Sequence, residues 1–202
     1  MPARPTTPVA IAEAGASDAV AIAAFLLRTW QSSGPDSPGL AGATDELIAS
    51  IATAKAIRAR LGRPVRRMFF AVSNNEVVGM AATRRVNAST VELSGILVSV
   101  AASGKGIGTR LVELALNRAR ADRFSRMIVR TERANERAIS FYRQGGFEPV
   151  AETVEHIGGN EVPVLELARA IEGSPASSAT ISGESGEFPS SASPRRRRRR
   201  RP

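Results

Sequence analysis

The residues best suited to chemistry lie in SGKGIGTRL, residues 103–111, where three glycines occupy five positions before a helical apolar pattern begins. Glycine has no Cβ, so a glycine-rich turn lets an anion approach the backbone closely. The first N–H groups of a helix have no partner within it, and their dipoles favour negative charge. The pattern therefore predicts a binding turn for a phosphate group, most simply a pyrophosphate.

The spacing of these glycines differs from two common nucleotide-binding sequences. The pattern G-x-x-x-x-G-K-[ST] is absent, and Gly104, Gly106 and Gly108 give G-x-G-x-G where dinucleotide-binding folds have G-x-G-x-x-G. The alternative is a turn that has only a structural role. The glycines by themselves leave the ligand open.

A predicted strand, TVELSGILVSV, precedes the turn. Val91 and Leu93 alternate on one face, and after Gly95 the alternation slips by one residue to Ile96, Val98 and Val100. A slip at a glycine predicts a β-bulge, which would separate this strand from its neighbour. The alternative is a strand buried on both faces. The helix after the turn carries an apolar face of Leu111, Leu114, Ala115 and Ala119.

The remaining elements extend this pattern to a mixed α/β fold in the order β, α, α, β, β, β, α, β, α, β, β, with at least one βαβ crossover. Hairpins are predicted at SNN and at GGN, residues 73–75 and 158–160. The predicted helix boundaries are a Ser17 cap, a single second helix from Thr44 to Gly62, and a last helix between Asn135 and Gly145–Gly146. The spacing in the first helix predicts one face of Val20, Ala23, Leu27 and Trp30.

The composition excludes several kinds of site. The absence of cysteine excludes disulfides, thiolate metal sites and a cysteine nucleophile, and a single histidine, His156, excludes sites built on several histidines. We expect His156 to be structural or at the surface, and we expect no metal. No apolar run approaches the ~18 residues of a membrane span. The proline-rich start, MPARPTTPVA, does not resemble a signal peptide, so we expect a cytoplasmic protein.

The composition changes sharply after Glu172. Residues 173–202 are rich in Ser, Pro and Gly and end in seven arginines, from Arg195 to Arg201. With two glutamates, this segment carries +5 of the net charge of +9. We expect a domain over residues 1–172 and a disordered tail over residues 173–202. The arginines predict non-specific contact with nucleic acid, and the alternative is a tail without a role.

Two stretches together resemble the Gcn5-related N-acetyltransferase (GNAT) family. The family motif [Q/R]-x-x-G-x-[G/A] falls on residues 103–108, and N-x-x-A-x-x-x-Y-x-x-x-G-F is matched by Asn135, Ala138, Tyr142, Gly146 and Phe147. The resemblance implies the GNAT fold, a mixed central sheet with a bulged, splayed strand flanked by helices. It also implies an enzyme that uses acetyl-CoA as acyl donor and a primary amine as acceptor. Since the chain has no cysteine, we expect the amine to attack the thioester directly.

The resemblance also implies roles for individual residues. Tyr142 stands where the family places its general acid, and the alternative is a core aromatic. Glu92, eleven residues before Ser103, is the candidate base; the alternatives are an exposed Glu92, or Glu132 or Glu136 as the base. The residues implied to bind acetyl-CoA are Ile96, Leu97, Val98, Ser103, Gly104, Lys105, Gly106, Ile107, Gly108, Thr109, Asn135 and Tyr142.

One position departs from the family pattern. Ser103 stands where the family usually has Gln or Arg, a side chain that helps to hold the pyrophosphate. We expect a weaker hold on acetyl-CoA, with Lys105 supplying charge. A second possible function follows, namely a catalytically idle acyl-CoA-binding protein or an adaptor tethered to nucleic acid. The family builds its acceptor surface from the first helices, their loop and the last hairpin, and these segments do not identify the acceptor. The choice between monomer and homodimer is also open.

Overall fold

The computed structural model describes residues 8–33, 45–61, 63, 65–157 and 160–172. Its strands are β1 (Ala10–Glu13), β2 (Arg66–Ser73), β3 (Glu76–Arg85), β4 (Thr90–Val98), β5 (Arg126–Glu132), β6 (Glu148–Ile157) and β7 (Asn160–Ala170). Its helices are α1 (Ala19–Ser33), α2 (Asp45–Ile51), α3 (Ala54–Leu61), α4 (Ile107–Ala121) and α5 (Glu136–Gln144). Short 3-10 helices precede α1 and follow β4, at Ala16–Asp18 and Val100–Ala102. The predicted mixed α/β fold is confirmed.

The strands form one seven-stranded sheet in the order β1-β2-β3-β4-β5-β7-β6. Within the described residues, the parallel ladder joins β4 to β5, and the other ladders are antiparallel. Parallel neighbours need a crossover connection, and α4 provides it. This arrangement places the start of α4, with its glycine-rich turn, directly after the end of β4.

Helices cover the sheet on both faces. One face of the strands β2, β3, β4, β5 and β7 packs against α4 and α5, around Phe69, Leu93, Leu111 and Phe147. The other face of β2 and β3 packs against α1 and α3, around Phe25, Ile57, Met68 and Met80. Because successive side chains of a strand point to opposite faces, the helices that a side chain contacts show on which face of the sheet it lies.

The predicted β-bulge in β4 is confirmed. Ala82 of β3 pairs with Gly95, and the next residue, Thr83, pairs with Leu93, so that Ser94 is the extra residue. The bulge keeps the apolar phase on the face of α4 and α5, because Val91 and Leu93 before it and Ile96 and Val98 after it all pack against that cluster. Without the extra residue, the second half of the strand would turn its apolar side chains to the other face. The prediction that Val100 continues the apolar alternation is wrong, because the strand ends at Val98 and Val100 lies in the following 3-10 helix with 80% of its surface exposed.

The strand also leaves its neighbour, as the bulge predicts. The ladder between β4 and β5 contains three residue pairs and ends at Glu92 and Ile128. Beyond this point, β4 is paired with β3 alone within the described residues, from Leu93 to Val98. The sheet is therefore open between β4 and β5 next to the glycine-rich turn.

The first helix differs from the prediction at its start and in its face. The predicted Ser17 cap is wrong, because Ala16–Asp18 form a 3-10 turn in which Asp18 Oδ2 accepts from the Gly15 N–H at 2.8 Å. Val20 and Leu27 are 59% and 37% exposed, so the predicted face is half wrong. The buried side chains of α1 are those of Ala19, Ile22, Ala23, Phe25 and Trp30. Since this helix is apolar almost all round, spacing alone does not select one face.

The predicted second helix is two helices, so a single helix from residue 44 to residue 62 is wrong. The chain leaves the helix after Ile51, and Thr53 Oγ1 accepts from the Ala56 N–H at 3.1 Å to cap α3. A threonine hydroxyl that satisfies the backbone in this way favours a new helix start over continuation. The predicted cap Thr44 and stop Gly62 lie outside the described residues.

The hairpin and the last helix are confirmed. Asn74 and Asn75, with φ of 51° and 61°, form the turn between β2 and β3. Both central residues of such a tight turn have positive φ, which Asn tolerates. β6 and β7 pair as predicted, although Gly158 and Gly159 of their turn lie outside the described residues. The same is true of the tail, residues 173–202. None of the helices that the structure describes has the length and apolar character to cross a membrane.

Candidate active site

The glycine-rich turn has the backbone that the sequence predicts. Gly104 and Gly106 have φ of 75° and 71°, and Gly106 is the N-cap of α4. L-residues rarely adopt this left-handed conformation, because Cβ approaches the following carbonyl oxygen. A Cβ built on either glycine would meet no atom of the described residues within 4 Å. The turn therefore borders an open space that glycine leaves unfilled.

The N–H groups at the start of α4 are suited to bind an anion. Arg110 donates its N–H to the Gly106 carbonyl at 3.1 Å, and no side chain in the described part of the chain caps the helix. The N–H groups of Ile107, Gly108 and Thr109 precede that bond and have no acceptor within the helix. Together with the helix dipole they favour a negatively charged group.

Gly108 has a different reason to be glycine. A Cβ at this position would lie 3.3 Å from two ring carbons of Phe141 and 3.7 Å from Ile96 Cδ1. The missing side chain thus allows α5 to approach the first turn of α4. Two glycines shape the turn, and the third permits the packing of the helix that carries Asn135 and Tyr142.

The backbone strain at Gly106 gives a first testable prediction. Gly106→Ala should lower the free energy of unfolding by roughly 1–2 kcal/mol, the cost of a left-handed L-residue. Gly95→Ala is the matched control, because Gly95 lies outside the left-handed region and its Cβ also meets nothing within 4 Å. Equilibrium unfolding in urea measures both variants. Equal losses of stability would show that the conformation at Gly106 carries no special cost.

Two polar side chains of the turn, those of Lys105 and Ser103, have hydrogen-bond partners within the protein. Lys105 Nζ donates to the Ala101 carbonyl at 3.0 Å, so its ammonium group is directed to the preceding 3-10 helix. Ser103 Oγ instead accepts from an Arg137 guanidinium nitrogen at 2.7 Å. Sequence reasoning missed Arg137. The signal was its position on α5, four residues before Phe141 and therefore on the same helix face.

Asn135 caps α5, as predicted. Its Oδ1 accepts from the Ala138 N–H at 3.1 Å, which satisfies one of the free donors at the start of the helix. This bond commits the side-chain oxygen of Asn135, while its side-chain N–H groups are left for another partner.

Tyr142 lies on α5 on the face that packs against the sheet. Its side chain is 6% exposed, and its ring makes edge contacts with Phe141 and Phe147, at centroid distances of 5.3 Å and 5.9 Å. Burial raises the pKa of the Tyr142 phenol to about 12. The phenol is therefore neutral at physiological pH and can donate its proton in a hydrogen bond.

Glu92 lies at the point where β4 leaves β5. It is 7% exposed and forms an ion pair with Arg84, its cross-strand partner on β3. Met80, four residues before Arg84 on β3, packs against α1 and α3, so Glu92 and Arg84 lie on that face of the sheet. Glu92 is thus not an exposed residue of an alternating strand. It stands on the opposite face of the sheet from Tyr142.

The remaining candidate residues lie at the end of β5, on α5 and on β6. Glu132 is half-buried at the last position of β5, and Glu136 is exposed in the first turn of α5. His156 is exposed, with its Nε2 3.5 Å from Glu161 Oε1. A surface location of His156 agrees with the expectation from the sequence.

The second half of β4 offers its backbone to the opening. Ile96 and Val98 pack against the cluster of α4 and α5, and Leu97 packs against the cluster of α1 and α3. Since all three side chains are committed to packing, this segment presents main-chain groups to the space that β5 vacates. The turn follows the second half of β4 along the chain, and Glu92 and Tyr142 lie on opposite faces of the sheet.

Solved structures with the same arrangement of elements are acetyltransferases. A ribosomal-protein-S5-alanine acetyltransferase from Vibrio fischeri is 18% identical, with a TM-score of 0.66 over 82% of this chain and 94% of that chain. A ribosomal-protein-alanine N-acetyltransferase from Brucella melitensis is 20% identical, with a TM-score of 0.65 over 80% and 99%. PaiA N-acetyltransferase from Thermoplasma acidophilum, in complex with coenzyme A, is 18% identical, with a TM-score of 0.60 over 79% and 98%.

A comparison with curated proteins gave no match. The model of the acetyltransferase (GNAT) family, however, matches residues 27–147. This match runs from the second half of α1 to just beyond α5 and contains the glycine-rich turn, Glu92 and Tyr142. The family match and the shared sheet topology lead to one conclusion: the chain belongs to the GNAT acetyltransferase family.

Proposed function

We propose that the protein transfers an acetyl group from acetyl-CoA to a primary amine by direct attack of the amine on the thioester. The observation that carries this proposal is the left-handed turn at Gly104 and Gly106, which opens α4 beside the gap between β4 and β5. An unfilled space over glycines and free N–H groups suits a diphosphate. The backbone of β4 next to it suits the amide groups of the pantetheine arm.

The residues proposed to hold acetyl-CoA are those that the family resemblance implies, and the geometry of the turn supports them. The N–H groups of residues 104–109 would bind the diphosphate, with Asn135 contributing its side-chain N–H groups. The main chain of residues 96–98 would bind the pantetheine arm and polarise the thioester carbonyl. Acetyl-CoA supplies an activated acetyl group. Donors that are fixed before the reaction stabilise the charge that develops on the carbonyl oxygen, which is often the largest catalytic contribution.

Glu92 and Tyr142 would carry out the two proton transfers of the reaction, Glu92 as the base and Tyr142 as the acid. Glu92 would accept the proton of the attacking amine, directly or through a water, as the N–C bond forms. Tyr142 would donate a proton to the sulfur as the C–S bond breaks, and solvent would later restore it. This division would assign the base to the nitrogen and the acid to the sulfur, the two atoms whose bonds to the carbonyl carbon form and break.

The acceptor is proposed as a primary amine on the face that carries Glu92, α1 and α3. An α-amine, with a pKa of about 8, needs less help to lose its proton than a lysine amine, with a pKa of about 10.4. Two of the similar structures are named as alanine acetyltransferases of ribosomal proteins. Peptides with a free N-terminal alanine are therefore the first acceptors to screen.

Calorimetric titration of the full-length protein with acetyl-CoA and then with CoA tests the proposal. We expect binding in the micromolar range, followed by release of free thiol when an amine acceptor is added. Binding without thiol release across peptides, lysines, polyamines and small amines would favour the idle acyl-CoA-binding protein. No binding up to millimolar concentrations would contradict both functions.

A further inference from the structure

We propose that Arg137 supplies the cation for the diphosphate of acetyl-CoA that Ser103 does not provide. The inference rests on the proposed function, because it concerns the same binding turn. The first position of the family motif usually carries Gln or Arg, and here the hydroxyl of Ser103 stands at that position. The Arg137 guanidinium lies 2.7 Å from that hydroxyl oxygen. A cation from α5 thus occupies the place of a side chain missing from the turn.

The packing of α5 on α4 explains how Arg137 reaches the turn. The Phe141 ring lies against Gly108 in the first turn of α4, so the two helices are in close contact there. Arg137 precedes Phe141 by four residues, which puts the two side chains on one face of α5 with Arg137 nearer its N-terminus. The contact at Gly108 therefore directs Arg137 towards Ser103.

Arg137 is also better placed than Lys105 to bind an anion. Lys105 Nζ is engaged with the Ala101 carbonyl at 3.0 Å. Arg137 is exposed, and within the described residues its guanidinium shows the Ser103 contact alone. A guanidinium has five N–H donors in a planar fork that matches phosphate oxygens. One donor bound to Ser103 orients the fork and leaves the others for the diphosphate.

The test compares Arg137→Gln with Arg143→Gln. Arg143 is also exposed and lies on the same helix, six residues further from the turn. Calorimetry of the full-length variants should show CoA binding about tenfold to a hundredfold weaker for Arg137→Gln, the effect of one lost charge-assisted contact. Arg137→Gln should weaken the binding of dephospho-CoA, which lacks the 3′-phosphate, by the same factor. Pantetheine, which lacks the diphosphate, should bind both variants equally.

Two further variants distinguish anion binding by Arg137 from a purely structural role of the Arg137–Ser103 contact. Ser103→Ala removes the contact but keeps the cation, so it should weaken CoA binding less than Arg137→Gln does. The double variant Ser103→Arg with Arg137→Gln should recover most of the lost affinity, because it returns the cation to the turn. Thermal unfolding of each variant shows whether the fold is intact.

Several outcomes would overturn the inference. Arg137→Gln could match Arg143→Gln in CoA affinity, or Ser103→Ala could weaken binding as much as Arg137→Gln does. The loss could also vanish with dephospho-CoA, which would place the cation at the 3′-phosphate. In each of these cases the wild-type protein still binds CoA, so the proposed function stands. A wild-type protein that binds no CoA would contradict the proposed function and this inference together.

Discussion

Tyr142→Phe should lower kcat for acetyl transfer by roughly 10²–10⁴-fold, the usual contribution of a positioned proton donor. The affinity for acetyl-CoA should change little, because phenylalanine keeps the ring that packs between Phe141 and Phe147. The phenol hydroxyl is the group that is removed, and in the proposed mechanism it acts only when the thiolate leaves. Steady-state kinetics with a productive acceptor and calorimetry with acetyl-CoA measure the two quantities separately.

The pH dependence of stability gives a control on the environment of Tyr142. Burial raises the pKa of its phenol from 10.0 to about 12, so the folded state favours the protonated form. A raised pKa contributes stability that is complete below pH 10 and is lost as the pH rises towards 12. The wild-type protein should therefore lose more of its free energy of unfolding than Tyr142→Phe does over that range. If the kcat of Tyr142→Phe equalled that of the wild-type protein, the proposed proton donation would be contradicted, and Tyr142 would have only a packing role in the core.

The sequence predicted those parts of the fold that burial determines. The bulge in β4 is an example, because Val91, Leu93, Ile96 and Val98 must share the face of α4 and α5. Where helices cover one face of a strand, a one-residue slip in its apolar alternation requires an extra residue to keep the apolar side chains on that face. The glycines at 104 and 106 were informative for a similar reason, since a left-handed backbone excludes most other residues.

The details that the sequence did not predict depend on long polar side chains or on competing local bonds. The Arg137–Ser103 and Arg84–Glu92 contacts join residues of different elements, and no periodic pattern marks them. The break between α2 and α3 depends on one hydroxyl, that of Thr53. In each case a side chain selects among alternatives that are similar in apolar burial, so hydrophobic periodicity carries no information about the choice.

Glu92→Gln should lower kcat/KM for the acceptor by roughly 10²–10⁴-fold at neutral pH, if Glu92 accepts the proton of the amine. Glutamine keeps the shape of the side chain and an oxygen for Arg84, but it is not a base. The deficit should shrink as the pH approaches the pKa of the acceptor, about 8 for an α-amine and about 10.4 for a lysine amine, because solvent then removes the proton. A plot of log kcat/KM against pH measures this convergence.

Glu166→Gln is the matched control for Glu92→Gln. Glu166 on β7 also forms an ion pair with an arginine, Arg130, at 3.1 Å, and its register places it on the same face of the sheet as Glu92. Each variant removes one carboxylate from one ion pair, yet only Glu92 stands where β4 parts from β5. A loss confined to Glu92→Gln would tie the effect to that opening. Equal small losses in both variants would make the Arg84–Glu92 pair a structural one, and proton removal would then fall to solvent acting on an acceptor of low pKa.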